Sequence, residues 1–137
     1  MSYPNAVRYF PAGMGSAGAL GALDISDADN TTEFTWIPQE PCKIYGFGGL
    51  VVEATGTQST TPGVCSLTIA GTEVSTFTAG ISSAIGTEKL GSDFVPTKVA
   101  AGATILFKVK TQAVGGTIVG EFAPFIDVEF FQQTDAS

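Results

Sequence analysis

The sequence predicts an all-β protein: a single jelly-roll-like, two-sheet β-sandwich of about eight antiparallel strands over residues 26–137, preceded by an extended Gly/Ala-rich N-terminal arm over residues 1–25. Three observations carry this prediction. Val, Ile and Thr supply 37 of the 137 residues and Phe ten, against only six Leu, and β-branched and aromatic side chains suit a pleated, half-buried surface. Seventeen Gly and seven Pro punctuate the chain at the spacing of about 8–12 residues that marks turns in a sandwich. No stretch holds apolar residues at helical spacing for three turns without a Gly or Pro, so no long helix is expected.

The arm comes first. Residues 12–22 read AGMGSAGALGA, flanked by Tyr3, Tyr9, Phe10 and Pro11. Such a segment buries little on its own, and glycine loses much entropy when ordered. It is therefore expected to become ordered against something else. Residues 24–32 follow as an acidic, polar loop. Residues 31–37 alternate with period two, placing Thr32, Phe34 and Trp36 on one face, until Pro38 and Pro41 end the strand. Residues 42–53 are the next extended run, and Gly46, Gly48 and Gly49 inside it point to a bend or bulge.

Residues 64–70 and 72–78 read as a hairpin about Ala70-Gly71, with Cys65, Leu67 and Ile69 on one face. Residues 81–91 read as a loop or one helical turn. Residues 94–99, broken by Pro96, are expected at a sheet edge. Residues 104–111 send Ile105, Phe107 and Val109 inward and Lys108 and Lys110 outward. Residues 117–122 and 125–131 complete the sheets as two strands with a kink at Pro124.

Composition also limits function. Six Lys+Arg against 13 Asp+Glu give a net charge of −7, a poor match to polyanions, so no nucleic acid partner is expected. There is no His. That removes Ser-His and Cys-His nucleophile pairs and imidazole metal sites, and the expectation is a non-enzyme with no cofactor and no metal. Cys42 and Cys65 lack CxxC spacing and read as small core residues, with one structural bridge as the alternative. The N-terminus has no run that reads as a secretory leader, and no stretch approaches the ~18 apolar residues of a membrane span. Cytoplasmic synthesis without membrane contact is the expectation.

Each motif has a competing reading. Residues 13–18 spell GxGxxG, but a dinucleotide site needs a strand before it and a helix after it, and Pro11, Gly18 and Gly21 oppose both. Asp24, Asp27, Asp29, Asn30 and Glu33 could offer hard oxygens to calcium, yet their spacing is not that of an EF-hand and the same residues favour turns. Glu53, Glu73, Asp127 and Glu129 offer no evident pair for glycoside hydrolysis. For sugar stacking, Tyr45 and Phe47 are better platforms than Trp36, which shares a face with Phe34 and reads as core. The arm carries the remaining signal. Tyr3, Arg8, Tyr9 and Phe10 combine large area with polar handles, as interface residues do. Phe130 and Phe131 are consecutive and point to opposite faces, so Phe131 is added as a candidate protein contact.

The Gly-rich arm, the segment Thr35-Trp36-Ile37-Pro38 before a Cys-Lys-Ile strand, and Val99-Ala100-Ala101-Gly102-Ala103-Thr104 before Ile105-Leu106-Phe107 resemble the jelly-roll capsid cement, or decoration, proteins of tailed bacteriophages. The resemblance implies a homo-oligomer, dimer or trimer, on the outer capsid surface of the virion. It would be made in the host bacterial cytoplasm and would clamp major capsid protein subunits together. The family has no catalytic residues to carry over. The alternative is a carbohydrate- or receptor-binding sandwich of a phage fibre or tail.

Overall fold

The structure, a computed structural model, describes residues 6–58 and 60–131. The chain forms β1 (Val7–Tyr9), β2 (Leu23–Asp24), β3 (Thr31–Trp36), β4 (Cys42–Glu53), β5 (Val64–Ile69), β6 (Thr72–Thr78), β7 (Glu88–Leu90), β8 (Thr97–Val99), β9 (Ile105–Thr111) and β10 (Glu121–Phe130). These make two antiparallel sheets. In the first, the order is β1-β10-β4-β7, with β2 also pairing with β10 and β8 with β4. In the second it is β3-β9-β5-β6.

Alternation in the long strands builds the core between the sheets. Ile44, Val51, Phe122, Ile126 and Val128 of the first sheet and Cys65, Leu67, Ile105 and Phe107 of the second are all buried. A seam of rings crosses the gap: Phe47 lies 5.4 Å from Phe77 and 6.1 Å from Phe107, and Phe77 lies 5.1 Å from Phe122. Burying each such side chain is worth about 1.5–3 kcal/mol. Gly49 of β4 lets this seam close up, and Gly48 does the same for the ring packed on the outer face of the sheet. A Cβ at Gly49 would lie 2.8 Å from the Phe77 ring, and one at Gly48 would collide with the Phe125 ring and the Lys89 carbonyl. The expected irregularity is present too, as a register shift opposite Tyr45 and Gly46.

Several elements differ from expectation. Residues 6–25 do not stand apart as an arm, because β1 and β2 extend the first sheet along β10, and Leu23 and Ile25 are fully buried in the core. The Gly/Ala segment between them finds its support on the chain's own surface. Thin residues allow this close approach: a Cβ at Gly21 would lie 2.7 Å from Ala12 and 2.9 Å from the Phe34 ring. The two expected C-terminal strands are one continuous β10. Pro124 pairs with Gly49 on one side and, on the other, falls in the gap between β1 and β2. A residue without an N–H can sit in a two-sided strand where one neighbour is missing. Residues 117–120 are loop, and the expected loop at 81–91 ends in the edge strand β7.

Candidate functional site

The antiparallel register of β1 and β10 sets Arg8 opposite Asp127. Arg8 Nε donates to Asp127 Oδ1 at 3.1 Å, Nη1 donates to Glu88, and the guanidinium lies 4.0 Å from the centre of the Phe125 ring. Phe10 meets the same ring edge-on at 5.5 Å. Phe125 points away from the core yet is fully buried, because Arg8 and Phe10 cover it. Both residues, expected as contacts to a partner, are thus engaged inside the chain.

Tyr9 lies on the opposite face of β1. Its ring is 5.5 Å from Trp36 and 5.5 Å from Phe130, and Trp36 and Phe130 are 6.2 Å apart, nearly perpendicular. Trp36, expected in the core, is only half-buried. It lines an open hollow of about 380 Å³ with Tyr9, Phe130, Gln39 and Glu40. The edge strands of the two sheets, β1 and β3, meet here, and sequence alternation alone cannot show which end of β3 reaches that seam.

Phe131 leaves β10 half-buried, its N–H donating to the Pro41 carbonyl at 2.9 Å. It borders a second open hollow, of about 680 Å³, with Pro41, Cys42, Lys98, Val99, Ala100 and Ala101. Tyr3 lies outside the described residues. The candidates therefore do not converge: Arg8 and Phe10 sit on the outer face of the first sheet, Tyr9 at its side seam, and Phe131 beside Pro41.

The other motifs resolve locally. Residues 13–18 form turns, with Gly13 at φ 83° and Gly18 at φ 80°, and no helix follows. The Gly18 N–H instead donates to Glu121 Oε1 at 2.9 Å. In the acidic loop, Asp24 accepts from the Ser26 N–H at 2.9 Å, Asp29 accepts from the Gln112 N–H at 2.6 Å, and Glu33 accepts from the Asp24 N–H at 3.0 Å. Among the described residues no group of three such side chains could hold a metal ion.

Burial, together with a hydrogen bond shared with Asp27, pushes the Glu33 carboxyl up to about 8, against the lowering effect of the Asp24 N–H. Burial likewise raises Glu121, which faces Glu53 on one side and Asp24 on the other.

The carboxylates considered for glycoside chemistry hold separate partners. Glu73 pairs with Lys110 at 2.8 Å, Glu129 accepts from the Tyr45 hydroxyl at 3.0 Å, Glu53 accepts from the Gly120 N–H at 3.2 Å, and Asp127 holds Arg8. Phe47 is only 3 % exposed and belongs to the core, so it offers no stacking platform. Cys42 and Cys65 are both buried and free. Burial first, and then the charge of Glu40, pushes the Cys42 thiol up to about 11, and burial raises Cys65 as well.

No protein-family model, curated protein or solved structure matches the chain.

Proposed function

We propose that this protein is a non-catalytic structural subunit, a single jelly roll that binds the outside of a bacteriophage head and stabilises contacts between major capsid protein subunits, itself as a homo-oligomer. Two features support the reading. The strands pair in nested order, β1 with β10, β3 with β9, β4 with β7 and β8, and β5 with β6. That is the pattern of one long hairpin rolled into two facing sheets, as a jelly roll requires.

The observation that carries the binding role is Phe131. Of the described contact candidates it alone borders an open apolar hollow without a ring or ion-pair partner among the described residues. A half-exposed aromatic at the mouth of such a hollow has area to contribute to a neighbour. Many copies on a repeating shell would then convert modest single contacts into stable coverage.

The test is recovery of partners from the native source with purified protein as bait, read by mass spectrometry, comparing the parent chain with Phe131→Ser. One shell protein recovered in stoichiometric amount by the parent, and several-fold less by the variant, is the expected result. A shell protein recovered equally by both would move the contact elsewhere on the sandwich. No shell protein at all would overturn the reading.

A further inference from the structure

The hollow at the side seam has chemistry of its own. Tyr9, Trp36 and Phe130 come from three strands in two sheets, and their rings meet at 54°, 87° and 86°. Rings set at such angles present faces in different directions, and each face carries the negative side of an aromatic quadrupole. The rim is fixed by the loop after β3. Pro38 and Pro41 bracket Gln39 and Glu40, and the Gln39 Nε2 donates to the Ile37 carbonyl at 3.2 Å, which orients its amide.

The Glu40 carboxylate forms no hydrogen bond or ion pair among the described residues, and no Lys or Arg lines the hollow. The cation–π contacts elsewhere in the chain fall on Phe125 and Tyr45. The described chain thus brings no cation of its own to these three rings or to the carboxylate beside them.

We propose that this hollow receives the guanidinium of an arginine side chain presented by a partner protein. A guanidinium carries donors only, stacks flat on Trp and Tyr faces, and pairs with a carboxylate through two parallel N–H groups. A neutral sugar gains the stacking but leaves the charge of Glu40 unanswered. A lysine ammonium answers the charge without the planar stacking. The proposal goes beyond the shell-binding reading and does not require it, because ring and carboxylate chemistry define the guest whatever the partner assembles into.

Trp36 is the single tryptophan of the chain, so intrinsic fluorescence reports on this hollow alone. The intact protein is titrated with acetyl-Gly-Arg-Gly-amide, with the same peptide carrying norleucine in place of Arg, with methylguanidinium, and with methyl glucoside. The Arg peptide is expected to give a saturable Trp36 shift, at least fivefold tighter than the norleucine peptide or the glucoside. Glu40→Gln, a partly exposed change, should weaken it by about threefold to tenfold. Gln39→Lys, which supplies an internal cation at the rim, should abolish it while leaving the melting temperature in place.

Equal response to the norleucine peptide, a response to the glucoside alone, or no response to the Arg peptide from folded protein would overturn the proposal. Methylguanidinium binding as tightly as the peptide would replace the partner side chain with a free organic cation, and so overturn it as stated. These readouts are independent of shell recovery, so the two proposals fail separately.

Discussion

Raising the pH from 5 to 8.5 should weaken this protein, and Glu33 is the group to follow. Its carboxyl is pushed up to about 8 in the folded chain, by burial and by the hydrogen bond shared with Asp27. The unfolded value is 4.5. Between those values the folded state binds a proton that the unfolded state has lost, so stability falls as pH rises. The contribution is fully present below 4.5 and is gone once pH has passed through about 8.

A direct conversion at about 1.36 kcal/mol per pH unit would overstate the effect, since the side chain is only partly buried and solvent screens it. After that discount, about 1–2 kcal/mol is expected, a fall of about 3–8 °C in melting temperature for a domain of this size. Glu121, raised in the same direction by burial, adds to the slope. The assay is thermal unfolding by circular dichroism from pH 5 to 8.5, on the parent chain and on Glu33→Gln. The glutamine keeps an oxygen for the Asp24 N–H and cannot ionise. It should flatten the pH profile and raise the melting temperature at pH 8.5. A variant whose profile overlays the parent's would refute the assignment to Glu33.

Other perturbations test the packing. Gly48→Ala should destabilise by about 1–3 kcal/mol, because the methyl meets the Phe125 ring and the Lys89 backbone together; urea denaturation checks this. Phe107→Ala, at a fully buried end of the ring seam, should cost about 3–5 kcal/mol in the same assay. Removing residues 1–22 should lower the melting temperature by several degrees, since it strips β1 from β10 and uncovers Phe125; an unchanged melt would mean that the first strand contributes nothing to the fold. Native protein at pH 7.5 should leave both thiols unreacted with a disulfide reagent, and urea should release both, because Cys42 and Cys65 are buried and burial keeps them protonated.

The long strands were legible because their side chains alternate. β4 and β6 match their sequence-derived bounds of 42–53 and 72–78, and the inward set Ile105, Phe107 and Val109 is buried. The short edge strands were not. β1, β2 and β7 have two or three residues each, too few to show a period, and they exist because β10 and β4 have unfilled edges beside them. Pro124 misled for a related reason. Its cost depends on whether a neighbouring strand needs its N–H, and that is a property of the sheet rather than of the local sequence. The aromatic hollow was half legible: Tyr9 stood out as an interface residue, but Trp36 shares its face with Phe34, and only the meeting of β1 and β3 separates their environments.

The nested pairing has a consequence for synthesis. β10 is the partner of β1, β2 and β4 alike, and it leaves the ribosome after all three. Until it arrives, the twelve residues of β4 lack their longest partner and the first sheet has no centre. The chain cannot close its fold progressively from the N-terminus. Its pairings of greatest sequence separation must form at the end, which places it among slow-folding topologies and leaves unpaired strand edges open to one another on crowded ribosomes. A premature stop at position 126, which cuts β10 in half, should therefore yield an aggregating product rather than a slightly weakened one.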